Sequence, residues 1–494
     1  MQAQYRIRIS DFYNNNYILI IRMHKWLNWF GGIKSTLIIC CCLLTACVST
    51  MQKERMDAFN SLYNSGQYDA AAQGELARIG DKKDDPSMLL EHLQAGAALR
   101  YSRDYDQSNE IFDRCESFIK SYNEDVVNDT AKNVTAVLVS DAATDYRARE
   151  YDGIMVNTYK AINYWQEGKN AEARVEFNRA VERQRRAKER FAKEISKQKK
   201  AIAEKQKEEN AKAEGGNLDF NKSLDNPEVD NIIKQHYSNL SEFKKYPDFV
   251  NPFTTYMAGL FFMNEGDYSK AVDLLKESYG MVDSNSVLKS DLFDCDRMSS
   301  GQRVSKKQVW VIFENGLGPV KDEFRVDLPI FLVSDQVYYT GFALPKLVMR
   351  PAAYTYLDAR KDGKQLARTE VVASMDRVIK TEFEKRYPMV VARAMISAII
   401  KTYLQHEAKK QNEWIGIGAA IFQAVTTEAD LRIWTALPKD FQVAKFETPK
   451  DGLFQITAPS GMSMDFQVKP QANSIIYIKA TTPGVPMEYT VIEL

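Results

Sequence analysis

The sequence predicts a multidomain protein, with an all-α solenoid of helical hairpins followed by an α+β domain whose C-terminal part is β-sandwich-like. The chain has 494 residues, which is too long for one ordinary hydrophobic core. Residues 51–292 carry apolar side chains at helical spacing. From about residue 303 the apolar runs shorten to strand length, with Gly and Pro turns between them. We therefore predict a helical domain over 47–300 and an α+β domain over 301–494.

The N-terminal region predicts an export signal. No charged residue lies between Lys34 and Cys47, and this apolar stretch is too short for a bilayer span of about 20 residues. It has the length of a signal-peptide core behind a basic segment. Residues 1–46 are therefore expected to be a signal peptide. Met23 is the expected true start, because a signal peptide beginning there has conventional length.

Leu44-Thr45-Ala46-Cys47 resembles the bacterial lipobox, in which small residues precede the lipidated cysteine. Small side chains let the signal peptidase approach the backbone, and the Cys47 thiol is the nucleophile that takes the diacylglycerol. Cleavage is expected between Ala46 and Cys47. The non-acidic Val48 resembles signals that direct a lipoprotein to the outer membrane, so we expect a periplasm-facing outer-membrane lipoprotein. The alternative is a buried apolar helix with incidental cysteines.

The charge balance excludes one class of partner. Lys+Arg and Asp+Glu number 66 each, whereas a nucleic-acid binder needs a net basic face. Cys47, Cys115 and Cys295 remain after cleavage, so at most one disulfide is available to the cysteines that are not acylated. Cys115 lies in a helical pattern and is expected to be buried, while Cys295 lies between two aspartates. The remaining histidines are widely separated, so no metal and no cofactor are predicted.

Repeated hairpins organise the helical region. Each copy has a small residue in a first helix, an aromatic residue near the turn and an apolar residue in a second helix, as in tetratricopeptide repeats. The copies contain Gly96, Tyr105 and Phe112; Ala161, Tyr164 and Phe177; and Gly259, Tyr268 and Leu275. A weaker copy covers 62–76. The copies are about 37, 65 and 98 residues apart rather than a strict 34, so a plain helical bundle is the alternative.

A charged helical extension and a return loop are predicted over 182–230. Its charges recur at positions four apart, and Phe191, Ile195 and Ile202 give only a thin apolar stripe. We interpret 182–213 as an overlong second helix that projects into solvent. The alternative is a partner-binding or coiled-coil arm.

Strand patterns fill most of 301–494. Apolar or alternating runs separated by turns cover 309–313, 324–328, 336–344, 353–359, 365–372, 441–446, 452–458, 464–469 and 474–480. A helical insert is predicted near 374–426. It should contain two helices separated at Pro388 and an apolar segment at 414–425, either buried or used for oligomer contacts.

Three motifs in the C-terminal half carry a family resemblance. They are DLRIWTALP at 430–438, ENGLGP at 314–319 and FALP at 342–345. Together they resemble a family of uncharacterised bacterial lipoproteins with tetratricopeptide-like repeats. The resemblance implies a role in cell-envelope assembly and assigns no catalytic motif. Arg432 and Trp434 are the candidate interaction residues. Their structural alternatives are an ion pair between Arg432 and Asp430 and a packing role for Trp434 at the interdomain seam.

No motif predicts catalysis. The glycines at 316 and 318 lack the third glycine and the helix of a phosphate loop, and no histidine has a triad partner. We therefore expect a membrane-anchored, non-catalytic scaffold that binds a periplasmic or envelope protein through the concave face of its solenoid. The alternatives are an envelope enzyme or regulator of peptidoglycan synthesis with a site in the C-terminal domain, and an oligomeric subunit of a surface assembly.

Overall fold

The computed structural model describes residues 53–128, 144–213, 231, 235, 250–282, 284–302, 306–331, 337–411 and 428–494. The predicted signal peptide, the lipidation site at Cys47 and the apolar segment at 414–425 lie outside these residues. The described residues mix helices with β-sheets, which confirms the α+β character.

Ten α-helices are described, and those from α2 to α9 pack against their neighbours in chain order. They are α1 (53–64), α2 (Tyr68–Ile79), α3 (Leu89–Tyr101), α4 (Tyr105–Asn128), α5 (Glu150–Gln166), α6 (Asn170–Ala213), α7 (Pro252–Asn264), α8 (Tyr268–Met281), α9 (Ser286–Ser299) and α10 (Met375–Gln411). Short 3₁₀ turns at Gly80–Lys82 and Pro86–Met88 join α2 to α3. Helical hairpins are therefore present where the pattern predicted them.

Close contacts between paired helices depend on glycine. A Cβ atom at Gly96 of α3 would lie 2.5 Å from the ring of Phe112 in α4. One at Gly259 of α7 would lie 2.9 Å from Leu275 in α8. The absence of a side chain thus lets the second helix of each hairpin approach the first. At Gly153 of α5, which the repeat alignment does not include, a Cβ atom would meet only the flexible Arg183 side chain of α6, at 2.8 Å.

The strands form three sheets. They are β1 (Gln308–Asn315), β2 (Val320–Phe331), β3 (Val337–Val348), β4 (Asp358–Lys361), β5 (Lys364–Arg368), β6 (Glu370–Ser374), β7 (Asp440–Glu447), β8 (Leu453–Thr457), β9 (Ser463–Gln467), β10 (Ser474–Ala480) and β11 (Glu488–Glu493). A five-stranded sheet has the order β11-β10-β1-β7-β6, a four-stranded sheet the order β5-β4-β8-β9, and β2 pairs with β3 alone. The β1–β10 pair is parallel, and the other described pairs are antiparallel.

Alternation along β1 separates two cores. Trp310 and Ile312 face the helices, whereas Val309, Val311 and Phe313 face the four-stranded sheet. The protein therefore has three layers, formed by the helices, the five-stranded sheet and the four-stranded sheet. The apolar core of the helices continues without interruption onto the five-stranded sheet. The predicted division near residue 300 thus crosses a shared core, and it stays a prediction.

This arrangement corrects the expected partner surface. The first helices of the hairpins, α3 and α7, each bury 12 of their 13 residues. Phe253 at the start of α7 stacks on Phe441 of β7, with ring centroids 3.6 Å apart. The face that these helices present is covered by the five-stranded sheet. A partner therefore cannot use it, contrary to the expectation of binding at the concave face.

The predicted break at Pro388 is wrong, because α10 runs through it from Met375 to Gln411. A proline inside a helix removes one backbone hydrogen bond, but the turn before it is held from outside. Tyr387 packs in an apolar cluster, and the Arg386 guanidinium contacts Glu194 of α6 at 2.5 Å. Tertiary contacts therefore carry the helix past the proline.

The overlong second helix is confirmed as α6, which has 44 residues. It does not project freely along its described length, since Phe191 and Ala201 are buried. Ala201 packs in the same apolar cluster as α10. None of the helices in the described ranges is long and apolar enough to cross a membrane.

Two strand predictions need correction. The strand predicted over 353–359 begins only at Asp358, and the one over 365–372 is divided between β5 and β6 of different sheets. Cys295 is buried despite its acidic neighbours, because helix α9 directs its thiol toward the Tyr268 carbonyl while Asp294 pairs with Lys445. Cys115 and Cys295 are both free and buried.

Candidate functional site

A buried ion cluster joins the helices to the five-stranded sheet. The parallel register of β1 and β10 places Glu314 beside Lys479, and Arg100 reaches them from α3. The Arg100 Nη1 atom lies 2.9 Å from Glu314 Oε1, and Lys479 Nζ lies 3.6 Å from Glu314 Oε2. No side chain of the three is more than 1% exposed. The carboxylate thus has two cations beside it in a water-poor interior.

Tyrosine side chains enclose the same cluster. Tyr101 and Tyr477 donate hydrogen bonds to the Glu314 carboxylate. The Arg100 guanidinium lies 4.4 Å from the ring centroid of Tyr159 and 4.7 Å from that of Tyr477. These distances allow cation–π attraction to stabilise the buried guanidinium.

The charges of the cluster do not cancel. Burial by itself raises the pKa of Glu314, but Arg100 and Lys479 outweigh it, so that the pKa is lowered. Burial lowers the pKa of Lys479 to about 8, against the attraction of Glu314. Two cations and one carboxylate therefore share the site, and Arg100 Nη2 and Lys479 Nζ have no hydrogen-bond acceptor in the described part of the chain. The cluster holds α3 on the sheet, and we assign it a structural role.

The predicted residues Arg432 and Trp434 lie in the interior beside this seam. Trp434 is 1% exposed, and its ring lies 6.0 Å from both Phe112 and Tyr159. Arg432 Nε donates to Asp430 at 2.7 Å, and its Nη1 donates to the Thr144 carbonyl at 2.7 Å. These contacts match the structural alternatives given for both residues, namely packing for Trp434 and an ion pair for Arg432.

A cleft opens next to this segment, between α10, β3 and residues 428–433. It encloses about 1070 Å³ of empty space, part of it open to solvent. Its apolar wall consists of Phe342, Leu347, Ile379, Phe383, Val390 and Ile433. We call it the α10 cleft. Its mixed lining of apolar and charged side chains is typical of sites that hold small molecules.

Lys321 of β2 is one of the four basic residues that line the α10 cleft. Its Nζ atom donates to the carbonyl of Arg432 at 2.9 Å and lies 3.5 Å from that of Asp430. No carboxylate of the described residues lies within ion-pairing distance of it. Burial lowers its pKa to about 7, with Arg149 and Arg432 adding to the effect, and Asp430 and Asp152 opposing it.

Two acidic groups in the lining of the cleft are already engaged. Asp430 is paired with Arg432. Burial raises the pKa of Asp430, but the nearby charges of Arg432 and Lys321 lower it, and the net result is a lowered pKa. Glu382 accepts from Arg386 at 2.8 Å and from the backbone N–H of Glu150. Asp430 and Glu382 are therefore compensated by arginines, whereas Lys321 has no ion-pair partner in the described part of the chain.

Sequence reasoning missed Lys321. It lies just before the strand predicted over 324–328, and nothing in its immediate sequence marks it. The described residues contain no group of three or more potential ligands that could hold a metal ion.

Comparison with known proteins adds no relative: no family model, no curated protein and no solved structure matches the chain. The resemblance to repeat-containing bacterial lipoproteins therefore stays a prediction.

Proposed function

We propose that this protein is a lipid-anchored, non-catalytic scaffold of the bacterial envelope, held at the periplasmic face of the outer membrane through Cys47. The observation that carries the proposal is the ordered stack of hairpins α3–α4, α5–α6 and α7–α8. Their glycine-dependent contacts, as at Gly96 and Gly259, support tetratricopeptide-like packing. Repeats of that kind are used mainly to bind other proteins. That these hairpins are tetratricopeptide-like repeats is itself part of the proposal.

The outer face of the helical layer is the surface left for a partner. It is formed by the second helices α4, α6 and α8, because the sheet covers the first helices. Between residues 179 and 204 of α6, seven basic and three acidic side chains are exposed. An acidic envelope protein is the partner whose charge complements this face.

Site-specific photocrosslinking in living cells tests this surface. A crosslinker in place of Lys193 or Lys199 on α6 should yield a discrete adduct with an envelope protein. The matched control places it at Lys450, which is also exposed but lies on the loop between β7 and β8. The scaffold proposal is overturned if the α6 positions give no adduct, or give the same adducts as Lys450.

The tether is tested separately. Cys47→Ala removes the acceptor of the lipid, so the variant should accumulate as an unacylated precursor that is released or mislocalised. Membrane fractionation with metabolic labelling by a fatty acid measures this directly. Full retention of Cys47→Ala in the outer-membrane fraction would contradict the predicted anchor.

One observation favours the alternative of an envelope enzyme or regulator. The α10 cleft borders Asp430 and Ile433 in the C-terminal half, where that alternative puts its site, although neither Arg432 nor Trp434 lines it. A cleft of this kind indicates ligand binding in the C-terminal half, whether or not a reaction follows. The proposed oligomer contact at 414–425 lies outside the described residues.

A further inference from the structure

We propose that the α10 cleft is a binding site for an amphiphilic anion, whose carboxylate or phosphate contacts Lys321 and whose apolar chain lies along the wall formed by α10 and β3. This inference is independent of the scaffold proposal, because it concerns a different surface. It rests on the shape and charge of the cleft and on the hydrogen-bond donor of Lys321 that its two carbonyl contacts leave available.

The bonding capacity of Lys321 points to an anion. An ammonium group has three N–H donors, and backbone carbonyls of Arg432 and Asp430 engage two of them. A carbonyl satisfies a donor but does not neutralise the charge. An anionic ligand would occupy the remaining donor and supply the missing counter-charge.

The charge of the lining agrees with this. Four basic residues line the α10 cleft, namely Arg149, Lys321, Arg386 and Arg393. The three acidic ones are Glu382, Glu428 and Asp430. The formal balance is therefore +1 (four minus three). Since Glu382 and Asp430 are already bound to arginines, a cationic ligand would find little free negative charge there.

The apolar wall accounts for the rest of the ligand. Phe383 and Val390 lie about two turns apart on α10, so they present a continuous strip along one side. Phe342 and Leu347 of β3 also line the cleft, although their side chains are almost fully buried, with 1% and 2% exposed. An apolar strip beside charged groups fits a short alkyl chain that carries a terminal anion. A free sugar or a compact polar anion would leave this apolar surface unused.

Lys321 also couples binding to protonation. The groups that act on its charge are Arg149 and Arg432, which disfavour it, and Asp430 and Asp152, which favour it. Because its pKa is lowered to about 7, a large part of Lys321 is neutral at pH 7.5. An anion stabilises the charged form, so that binding at this pH should draw a proton from solution.

The test titrates the full chain calorimetrically with hexanoate and with hexyl phosphate at pH 6.5. The two probes distinguish a carboxylate from a phosphate as the preferred anion, and binding of either supports the site. Lys321→Met should weaken that binding about tenfold or more, since it removes a charge-assisted hydrogen bond. Lys346→Met is the matched control, because Lys346 lies on the neighbouring strand and pairs with Asp322 outside the cleft. It should bind as the wild type does.

Proton uptake in the wild type gives a second measurement that needs no variant. Titration at pH 7.5 in two buffers of different ionisation enthalpy should show uptake of a fraction of a proton per anion bound. The proposal is overturned if neither anion binds at millimolar concentration, if hexylamine or hexanol binds equally well, or if Lys321→Met leaves affinity and proton uptake unchanged.

Discussion

Glu314 is the residue whose charge should matter most for stability, because it lies between the buried cations Arg100 and Lys479. Glu314→Gln keeps the size of the side chain and an acceptor for the tyrosine hydroxyls, so the change removes mainly charge. Removal of one partner from a buried ion pair leaves the other charge uncompensated and costs about 3–5 kcal/mol. We expect the free energy of unfolding of Glu314→Gln to fall by about that amount.

The opposite expectation holds for Lys479. Its pKa falls from 10.5 to about 8 in the folded protein, which corresponds to about 3 kcal/mol of destabilisation when the lysine is charged. Lys479→Met removes that cost and leaves Arg100 paired with Glu314. The variant should therefore be as stable as the wild type or more stable. In the double variant, Lys479→Met should recover part of the stability lost in Glu314→Gln, because one unpaired cation remains instead of two.

The buried Lys479 should also make the free energy of unfolding depend on pH. The folded pKa of Lys479 lies below the unfolded value of 10.5, so the unfolded chain binds more protons between about pH 8 and 10.5. The destabilisation by this lysine is thus complete below pH 8 and disappears as the pH rises through that window. Lys479→Met should lack this component of the pH profile.

Urea unfolding followed by tryptophan fluorescence at pH 7 and at pH 9.5 measures these differences. Lys306→Met is a suitable control, since Lys306 is 66% exposed and pairs only with Glu447 among the described residues. If Lys479→Met destabilised the protein as much as Glu314→Gln, the cluster would not hold an excess of positive charge, and the reasoning would be refuted.

Two further substitutions test the packing of the layers. Gly96→Ala should destabilise the protein by about 1–3 kcal/mol in thermal unfolding, because its Cβ would meet the Phe112 ring at 2.5 Å. The control is Gly74→Ala in α2, where the added Cβ meets nothing within 4 Å and should stabilise the protein by up to about 1 kcal/mol. Equal effects of the two substitutions would show that glycine is not needed for the close approach. Arg386→Met removes the contacts to Glu194 that hold α6 on α10. Amide hydrogen exchange should therefore become faster in the second half of α6 and stay unchanged in α3. Unchanged exchange in α6 would contradict the role assigned to Arg386.

Much of the local structure could be predicted from the residues. Glycine and tyrosine near the turns marked the hairpins, and the charged run after residue 182 marked the long helix α6. These features depend on neighbours within a few positions of each other, so the sequence carries them directly. Pro388 shows where such reasoning fails, because the helix through it is maintained by contacts with α6, almost 200 residues away.

The candidate site could not be predicted in the same way. Lys321 obtains its character from the carbonyls of Asp430 and Arg432, from the burial of its ammonium group and from nearby arginines. None of these neighbours lies close to it in the chain. Trp434 was a candidate interaction residue because of its sequence motif, yet the contacts of its ring with Phe112 and Tyr159 show that it packs in the interior.

The sequence by itself therefore determined the helical and strand-forming segments, because periodicity and turn residues act locally. It also carries the predicted export and lipidation signal at Cys47, since such a signal is recognised as a linear segment. Only the tertiary structure decided that the sheet covers the first helices of the hairpins and that Glu314, Arg100 and Lys479 meet in one buried cluster. Burial and long-range electrostatics depend on which distant segments come together, and that information becomes visible only after the layers have packed.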